Sequence, residues 1–170
     1  MKKSSFWLIY LLLVIAQLIL GNYACFTPYV LVTLLPVMVL CIPLQMGTVG
    51  AMLVAFVTGL AVDFLTEAVP GLNALALVPV AFSRRWVVGL VFGGELFARK
   101  EDFSVRRNGL GKVLTACALS TALFLVVYVW ADAAGTRPFL FNLARFGASL
   151  PVNLLLSLLV LEYLAPDSRK

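Results

Sequence analysis

Long apolar stretches alternate with short polar turns along most of this chain. Six stretches stand out, at about residues 6–24, 28–44, 47–65, 70–83, 113–131 and 146–164. A helix rises 1.5 Å per residue, so about 20 apolar residues cross the roughly 30 Å hydrocarbon layer of a bilayer. The pattern therefore predicts an all-α membrane protein, a bundle of six transmembrane helices that forms a single domain over residues 1–170.

Positive charges separate the two ends of these stretches. Lys and Arg near the ends of spans are retained in the cytoplasm. With a cytoplasmic N-terminus, eleven of the thirteen cations fall on the inner side and two, Arg137 and Arg145, fall outside. The inner basic face includes Arg84, Arg85, Arg106 and Arg107. Six spans then return the C-terminus to the cytoplasm as well.

Two of the stretches are unusual. The second contains Pro36 and Pro43, which a membrane helix tolerates when neighbouring groups bond the freed carbonyls, so a kinked helix is expected. After the fourth, Arg84 and Arg85 precede a further twelve-residue segment, 86–97, that is mostly apolar. A helix continuing through these arginines would place each in lipid at a cost of about 2.5–3.5 kcal/mol. We therefore expect residues 84–112 to form a cytoplasmic interfacial segment and basic loop.

Composition supports the membrane class and argues against several kinds of chemistry. Hydrophobic residues make up 62% of the chain and charged residues 12%, and the mean hydropathy is +1.03. The chain has no His, and its three Cys share no short metal-binding spacing. We expect no catalytic site, cofactor or metal. Topology and contact with anionic membrane lipids explain the net charge of +5 better than nucleic acid does.

Small residues recur at every fourth position of the third stretch. This small-residue stripe consists of Gly47, Ala51, Ala55 and Gly59 and ends on Asp63. Small side chains allow two helix backbones to approach closely, and such contacts hold helices together in lipid. The stripe therefore predicts a close helix contact, either inside this chain or with the helix of a partner, a second copy included.

Asp63 is the candidate carboxylate of the membrane region. It lies about 24 Å from the inner end of its helix, in the outer third of the bilayer. A carboxylate in a span is either functional or caps its own helix. A cluster around it is expected, with an ion pair between Asp63 and Arg145, and Asn73 is expected to cap the fourth helix. The other polar residues at this depth are Gln17, Asn22, Asn142 and Asn153.

The third and fourth stretches resemble a known family. A span rich in Gly and Ala, an Asp, a short turn and a Gly-Leu-Asn-Ala helix start are similar to the rod-shape-determining protein MreD family. The residues that carry the resemblance are Gly50, Gly59, Asp63, Gly71, Leu72, Asn73, Ala74, Ala81, Arg84 and Arg85. Length, span number and the basic inner loop agree over the whole chain, whereas Glu67 departs from the family pattern.

The resemblance implies a non-enzymatic scaffold in the bacterial cytoplasmic (inner) membrane. Such a protein belongs to the cell elongation (rod) complex and helps to organise peptidoglycan synthesis and cell shape. Its direct partner would be MreC, bound through transmembrane helices. MreB, RodA and a class B penicillin-binding transpeptidase would stand in the same complex.

A second class of function stays open at the sequence level. Members of that family look like the six-helix substrate-binding subunits of energy-coupling-factor vitamin transporters, so a small-molecule binding subunit is the alternative. It would need an outer cavity with polar and aromatic groups. Gln17, Tyr23, Tyr29 and Asn73 could line one, although aromatic residues at span ends are also ordinary interface anchors.

Overall fold

The computed structural model describes residues 3–23, 29–43, 46–66, 69–93 and 109–164. The regular structure of this part is entirely helical, as the sequence predicts. Its helices are α1 Lys3–Tyr23, α2 Leu35–Leu40, α3 Thr48–Leu65, α4 Leu72–Phe92, α5 Leu110–Ala133 and α6 Phe139–Leu164. Among the described residues, α3, α4, α5 and α6 are long and apolar enough to cross a membrane, and α1 is apolar between Phe6 and Asn22. The chain is a multi-pass membrane protein.

In the described part of the chain, five long helices surround a short central one. Around the ring, α1 contacts α3, α3 contacts α4, α4 contacts α5, α5 contacts α6, and α6 returns to α1. The central helix α2 contacts all five. Every residue of α2 is buried, and Met38 and Leu40 have no exposed surface at all. The second apolar stretch of the sequence is therefore the core of the bundle.

The outward faces of the ring helices are apolar. Large side chains are exposed on each of them, among which are Leu8 at 66%, Val49 at 71%, Trp86 at 76%, Leu119 at 43% and Leu140 at 75%. Soluble proteins rarely present so much contiguous apolar surface to water. Lipid chains solvate these side chains, so the exposed faces form the lipid-facing surface.

The second stretch is not the long kinked helix that was predicted. Residues 29–34 have no regular secondary structure, and the helix is confined to Leu35–Leu40. Pro36 lies in its first turn, where a missing N–H leaves no helical bond unmade. Pro43 disfavours helical backbone at Ile42, which helps to end the helix after one and a half turns.

The fourth helix does not end near Ser83, and this boundary was predicted wrongly. α4 continues through Arg84 and Arg85 to Phe92, and Gly93, with φ of 69°, follows its last residue. The prediction assumed that both arginines would face lipid. Arg84 instead points into the bundle and is 2% exposed. For Arg84 a buried partner removes the cost that would otherwise have ended the helix, whereas Arg85 beside it is exposed.

The remaining boundaries differ less from the sequence pattern. α1, α3 and α5 begin and end within three residues of their predicted limits, whereas α6 begins at Phe139 instead of residue 146. Most of the predicted basic loop, with Arg106 and Arg107, lies outside the described residues.

Candidate functional site

Four of the residues that carry the family resemblance, Gly59, Asp63, Asn73 and Ala74, meet between α3 and α4. Gly59 lies directly against the first turn of α4, where a Cβ atom at position 59 would be 2.6 Å from both N and Cα of Ala74. Such a distance leaves no room for any side chain, so the two helix backbones touch. Ala51 and Ala55, on the same face of α3, have no exposed surface.

The small-residue stripe therefore packs inside this chain. Ala51, Ala55, Gly59 and Asp63 are all buried within the bundle. Gly47, the N-cap residue of α3, is exposed at the end of the stripe. Of the two interpretations that the sequence left open, internal packing is the one that the geometry supports.

Asp63 caps α4 from the neighbouring helix. Its carboxylate, 1% exposed, accepts hydrogen bonds from the backbone N–H of Asn73, at 3.1 and 3.2 Å, and from that of Ala74, at 3.4 Å. The side-chain Nδ2 of Asn73 donates to the same carboxylate at 2.8 Å. These N–H groups belong to the first turn of α4 and have no acceptor within their own helix. Asp63 thus acts as the N-cap side chain of α4, and its carboxylate lies at the positive end of the α4 dipole.

The turn before α4 explains why the cap comes from another helix. The N-cap residue is Gly71, which has no side chain to offer and whose φ of 89° lies in the left-handed region that favours glycine. Its carbonyl accepts the first helical bond, from Leu75 N–H at 2.8 Å. The expectation that Asn73 caps α4 is corrected, because Asn73 lies two residues inside the helix and donates to Asp63.

A second set of polar side chains holds the non-helical residues 29–34. The side-chain amide of Asn153 binds this backbone twice: its Oδ1 accepts from Thr33 N–H at 2.7 Å, and its Nδ2 donates to the Leu31 carbonyl at 2.7 Å. Ser149 Oγ accepts from Leu31 N–H at 2.9 Å, and Gln17 Oε1 accepts from Leu34 N–H at 2.7 Å. Side chains of α1 and α6 therefore replace the backbone partners that a helix would supply.

Burial explains why these side chains are needed. A backbone N–H or C=O without a partner in the membrane interior costs several kcal/mol, so irregular backbone persists only where protein groups bond it. Gln17, Ser149 and Asn153 are themselves at most 5% exposed. They form a buried backbone clamp around residues 31–34.

Replacing Asn153 with Leu is expected to loosen this clamp and to lower the free energy of unfolding by about 2–3 kcal/mol. The substitution keeps the side-chain volume but leaves Thr33 N–H and the Leu31 carbonyl without partners, at about 1–3 kcal/mol for each buried group. Cys41, at the end of α2, should react faster with a thiol reagent, while Cys117 in α5 should not. Leu155→Ala, at an exposed position of the same helix, is the control. Equal Cys41 reactivity in both variants would contradict the clamp.

Arg84 holds the other end of the same stretch. Its guanidinium donates to the carbonyls of Ile42, at 2.7 Å, and Pro43, at 3.3 Å, just beyond the last residue of α2. Carbonyls at the end of a helix have no N–H partner within the helix and carry partial negative charge, so a cation there is favourable. The central helix is thus anchored at its start by the backbone clamp and at its end by Arg84.

The predicted ion pair between Asp63 and Arg145 is not formed. Arg145 instead pairs with Asp132 near the end of α5, and Arg137 donates to the same carboxylate at 3.1 Å. The predicted polar cluster around Asp63 is therefore divided into three separate sets. Matching depth placed these residues at a similar level but could not say on which side of the ring each one lies.

The residues expected to line an outer cavity do not converge in the described part of the chain. Gln17 binds the Leu34 backbone and Asn73 binds Asp63. Tyr29 is 50% exposed and packs against Phe141 with ring centroids 5.1 Å apart. The side chain of Tyr23 lies outside the described residues.

Sequence reasoning missed Ser149 and the buried role of Arg84. One signal for the former was present, because Ser149, Asn153 and Ser157 recur every four residues on an otherwise apolar helix. In the described ranges no group of three or more His, Cys, Asp or Glu side chains could hold a metal ion.

The chain was compared with family profiles, curated proteins and solved structures. None of the three comparisons finds a match. Any assignment of function rests on the residues and geometry described above.

Proposed function

We propose that this protein is a non-enzymatic scaffold of the bacterial elongation complex, of the MreD kind, in the cytoplasmic membrane. The observation that carries the proposal is the joint between α3 and α4. Gly59, Asp63, Asn73 and Ala74, which carry the resemblance, form one continuous set of contacts there. These residues are separated in the sequence, but together they stabilise the hairpin of α3 and α4.

Six crossings with both termini in the cytoplasm are part of this proposal. Residues 29–34 reach at most about 20 Å at roughly 3.3 Å per residue, and the six residues of α2 add about 9 Å. Their sum is close to the thickness of the hydrocarbon layer, about 30 Å. The second stretch is therefore long enough to cross inside the ring although its helix is short.

The uses of the buried polar groups favour a scaffold over an enzyme. Asp63, Asn153, Gln17 and Arg84 each bond to backbone of this same chain. These groups stabilise the fold and leave apolar, lipid-facing helices as the surface available to other spans. MreC would bind such a surface through its own transmembrane helix, with MreB, RodA and a class B penicillin-binding transpeptidase in the assembled complex.

Purification of the tagged protein from native membranes in mild detergent tests the proposal. MreC should co-purify in near-equal amount, together with wall-synthesis enzymes. Gly89→Ala adds a methyl group that meets no described atom within 4 Å outside the neighbouring backbone of α4, so it should leave the yield of MreC unchanged. Recovery of a folded protein without MreC would contradict the scaffold function.

One observation favours the second candidate, a small-molecule binding subunit of a transporter. Transporters place ligand sites where a membrane helix is interrupted, and the second stretch is interrupted at residues 29–34 inside the bundle. A ligand there would take over hydrogen bonds that Asn153 and Gln17 now make. Co-purification of an ATPase and a coupling membrane subunit would support this function in place of the scaffold.

A further inference from the structure

A cluster of charged groups at the α5–α6 turn has one more cation than it has carboxylates to pair with. Arg137 and Arg145 both donate to Oδ2 of Asp132, so two guanidinium groups share one carboxylate oxygen. With Asn142, which lies one turn from Arg145 on α6, these residues form the outer charge cluster. Its formal charge is +1, from two cations and one anion.

Two buried polar atoms in this cluster have no hydrogen-bond partner among the described residues. They are Nε of Arg145, a donor, and Oδ1 of Asn142, an acceptor. Asn142 as a whole is 4% exposed. Buried polar groups are nearly always bonded, so an unpaired donor and an unpaired acceptor one turn apart on α6 call for a bound group that supplies a partner to each.

The position of the cluster specifies where that group comes from. Tyr29, at the start of the second stretch, packs on Phe141, and Trp130 packs against Phe139 and Phe146. The cluster therefore lies at the opposite end of the second stretch from Arg84, among aromatic side chains that typically anchor at the membrane–water boundary. Phosphate groups of lipids lie at this level of a bilayer.

The accessible member of the cluster is Arg137. Its side chain is 42% exposed, and its guanidinium lies 5.5 Å from the centroid of the Phe141 ring. Stacking on a ring holds the guanidinium plane in place while leaving its other N–H groups open to an acceptor. Arginine binds phosphate through two parallel hydrogen bonds, which a fixed guanidinium favours.

We propose that the outer charge cluster binds a phosphate group carried by a lipid headgroup that also has a hydroxyl. Arg137 is the exposed ligand of the phosphate, and Arg145 supplies the buried N–H donor. The headgroup hydroxyl donates to Asn142 Oδ1. This site does not depend on the scaffold function proposed above and stands on different residues.

Short-chain phosphatidylglycerol, short-chain phosphatidylcholine and inorganic phosphate are the three probes of this site. Titrations use the full-length protein in detergent with Trp7→Phe and Trp86→Phe, which leave Trp130 as the fluorescent reporter beside the cluster. Phosphatidylglycerol should bind at least tenfold more tightly than phosphatidylcholine. Arg137→Gln should weaken the binding of both lipids, because both carry the phosphate that Arg137 binds, and Arg137→Lys should retain part of that binding.

Lys112→Gln is the matched control, because it removes one exposed cation from the other end of α5. It should leave the affinity for phosphatidylglycerol unchanged. Asn142→Leu should weaken phosphatidylglycerol binding about fivefold and leave inorganic phosphate binding as it was. The melting temperature of each variant, followed by thiol reactivity, separates loss of the site from loss of the fold.

One result would change the source of the ligand, and two results would overturn the proposal. Inorganic phosphate that binds as tightly as phosphatidylglycerol, with the same dependence on Arg137, would support a phosphate site but assign free phosphate as its ligand. Equal affinity for both lipids in the unaltered protein would overturn the proposal. An equal loss in Lys112→Gln and Arg137→Gln would also overturn it, because net charge alone would then explain the binding.

Discussion

Replacing Asp63 with Ala is expected to lower the free energy of unfolding by about 3 kcal/mol. The loss of an N-cap contributes about 1 kcal/mol. Buried N–H groups left without an acceptor add about 1–3 kcal/mol each, and Asp63 serves those of Asn73 and Ala74. For a chain of this size the melting temperature should fall by about 6–12 °C.

The measurement is thermal unfolding of the purified protein in detergent, followed by a thiol-reactive dye. Cys41 and Cys117 are buried and become reactive when the bundle opens. A Cys25→Ala background restricts the signal to these two thiols. Leu65→Ala, at a neighbouring position that is 60% exposed, is the control and should change the melting temperature little.

Two further variants separate the parts of the Asp63 contact. Asn73→Ala removes the side-chain bond but keeps both backbone N–H groups capped, so it should cost only about 1 kcal/mol. Asp63→Asn keeps one acceptor oxygen for the backbone N–H groups of Asn73 and Ala74 and turns its NH₂ group toward Asn73 Nδ2, so it should cost about as much as Asn73→Ala and less than Asp63→Ala. A melting temperature for Asp63→Ala equal to that of the unaltered protein would show that the carboxylate does not cap α4.

Replacing Gly59 with Ala should destabilise the protein by about 2 kcal/mol, against the usual sign for this exchange in a helix. Ala normally stabilises a helix interior by about 0.5–1 kcal/mol relative to Gly. Here the new Cβ would lie 2.6 Å from backbone atoms of Ala74, which cannot rotate away as a side chain could. α3 and α4 must then move apart, at the cost of about 1–3 kcal/mol that overpacking carries.

Gly89→Ala is the matched control for Gly59→Ala. Both glycines lie inside long helices, but outside the neighbouring backbone of α4 no described atom lies within 4 Å of a Cβ built at Gly89. The control should raise the melting temperature slightly, whereas Gly59→Ala should lower it by about 4–8 °C. The same sign for both exchanges would show that the α3–α4 contact is looser than the geometry indicates.

Variants at the contact between α3 and α4 and variants in the buried backbone clamp should affect partner binding differently. Variants of Gly59 and Asp63 should alter the hairpin of α3 and α4, whereas Asn153→Leu acts on the core behind it. If MreC binds the lipid-facing surface of α3 and α4, variants of Gly59 and Asp63 should reduce the recovery of MreC more than Asn153→Leu does. This comparison is made between variants with the same melting temperature. Comparing variants of matched stability therefore separates a partner surface from general loss of folding.

The sequence by itself determined the class of the protein and the positions of most helices. Apolar length and low charge are local properties of the chain, and lipid selects for them directly, so α1, α3 and α5 lie close to their predicted limits. The hairpin between α3 and α4 was also readable, because Pro70 and Gly71 act within their own turn. The closely packed small-residue stripe was predicted from a spacing of four residues.

Tertiary structure decided the partners of the buried polar groups, the end of α4 and the course of the second stretch. Arg84 bonds to carbonyls about 40 positions earlier in the chain, and Asn153 to backbone about 120 positions earlier. A local sequence pattern contains no information about such long-range pairs. The sequence therefore could not predict that Arg84 and Asn153 lie inside the ring of helices. Because long-range partners bond these polar groups, α4 continues past Arg84, and the second stretch runs through the core with only six helical residues.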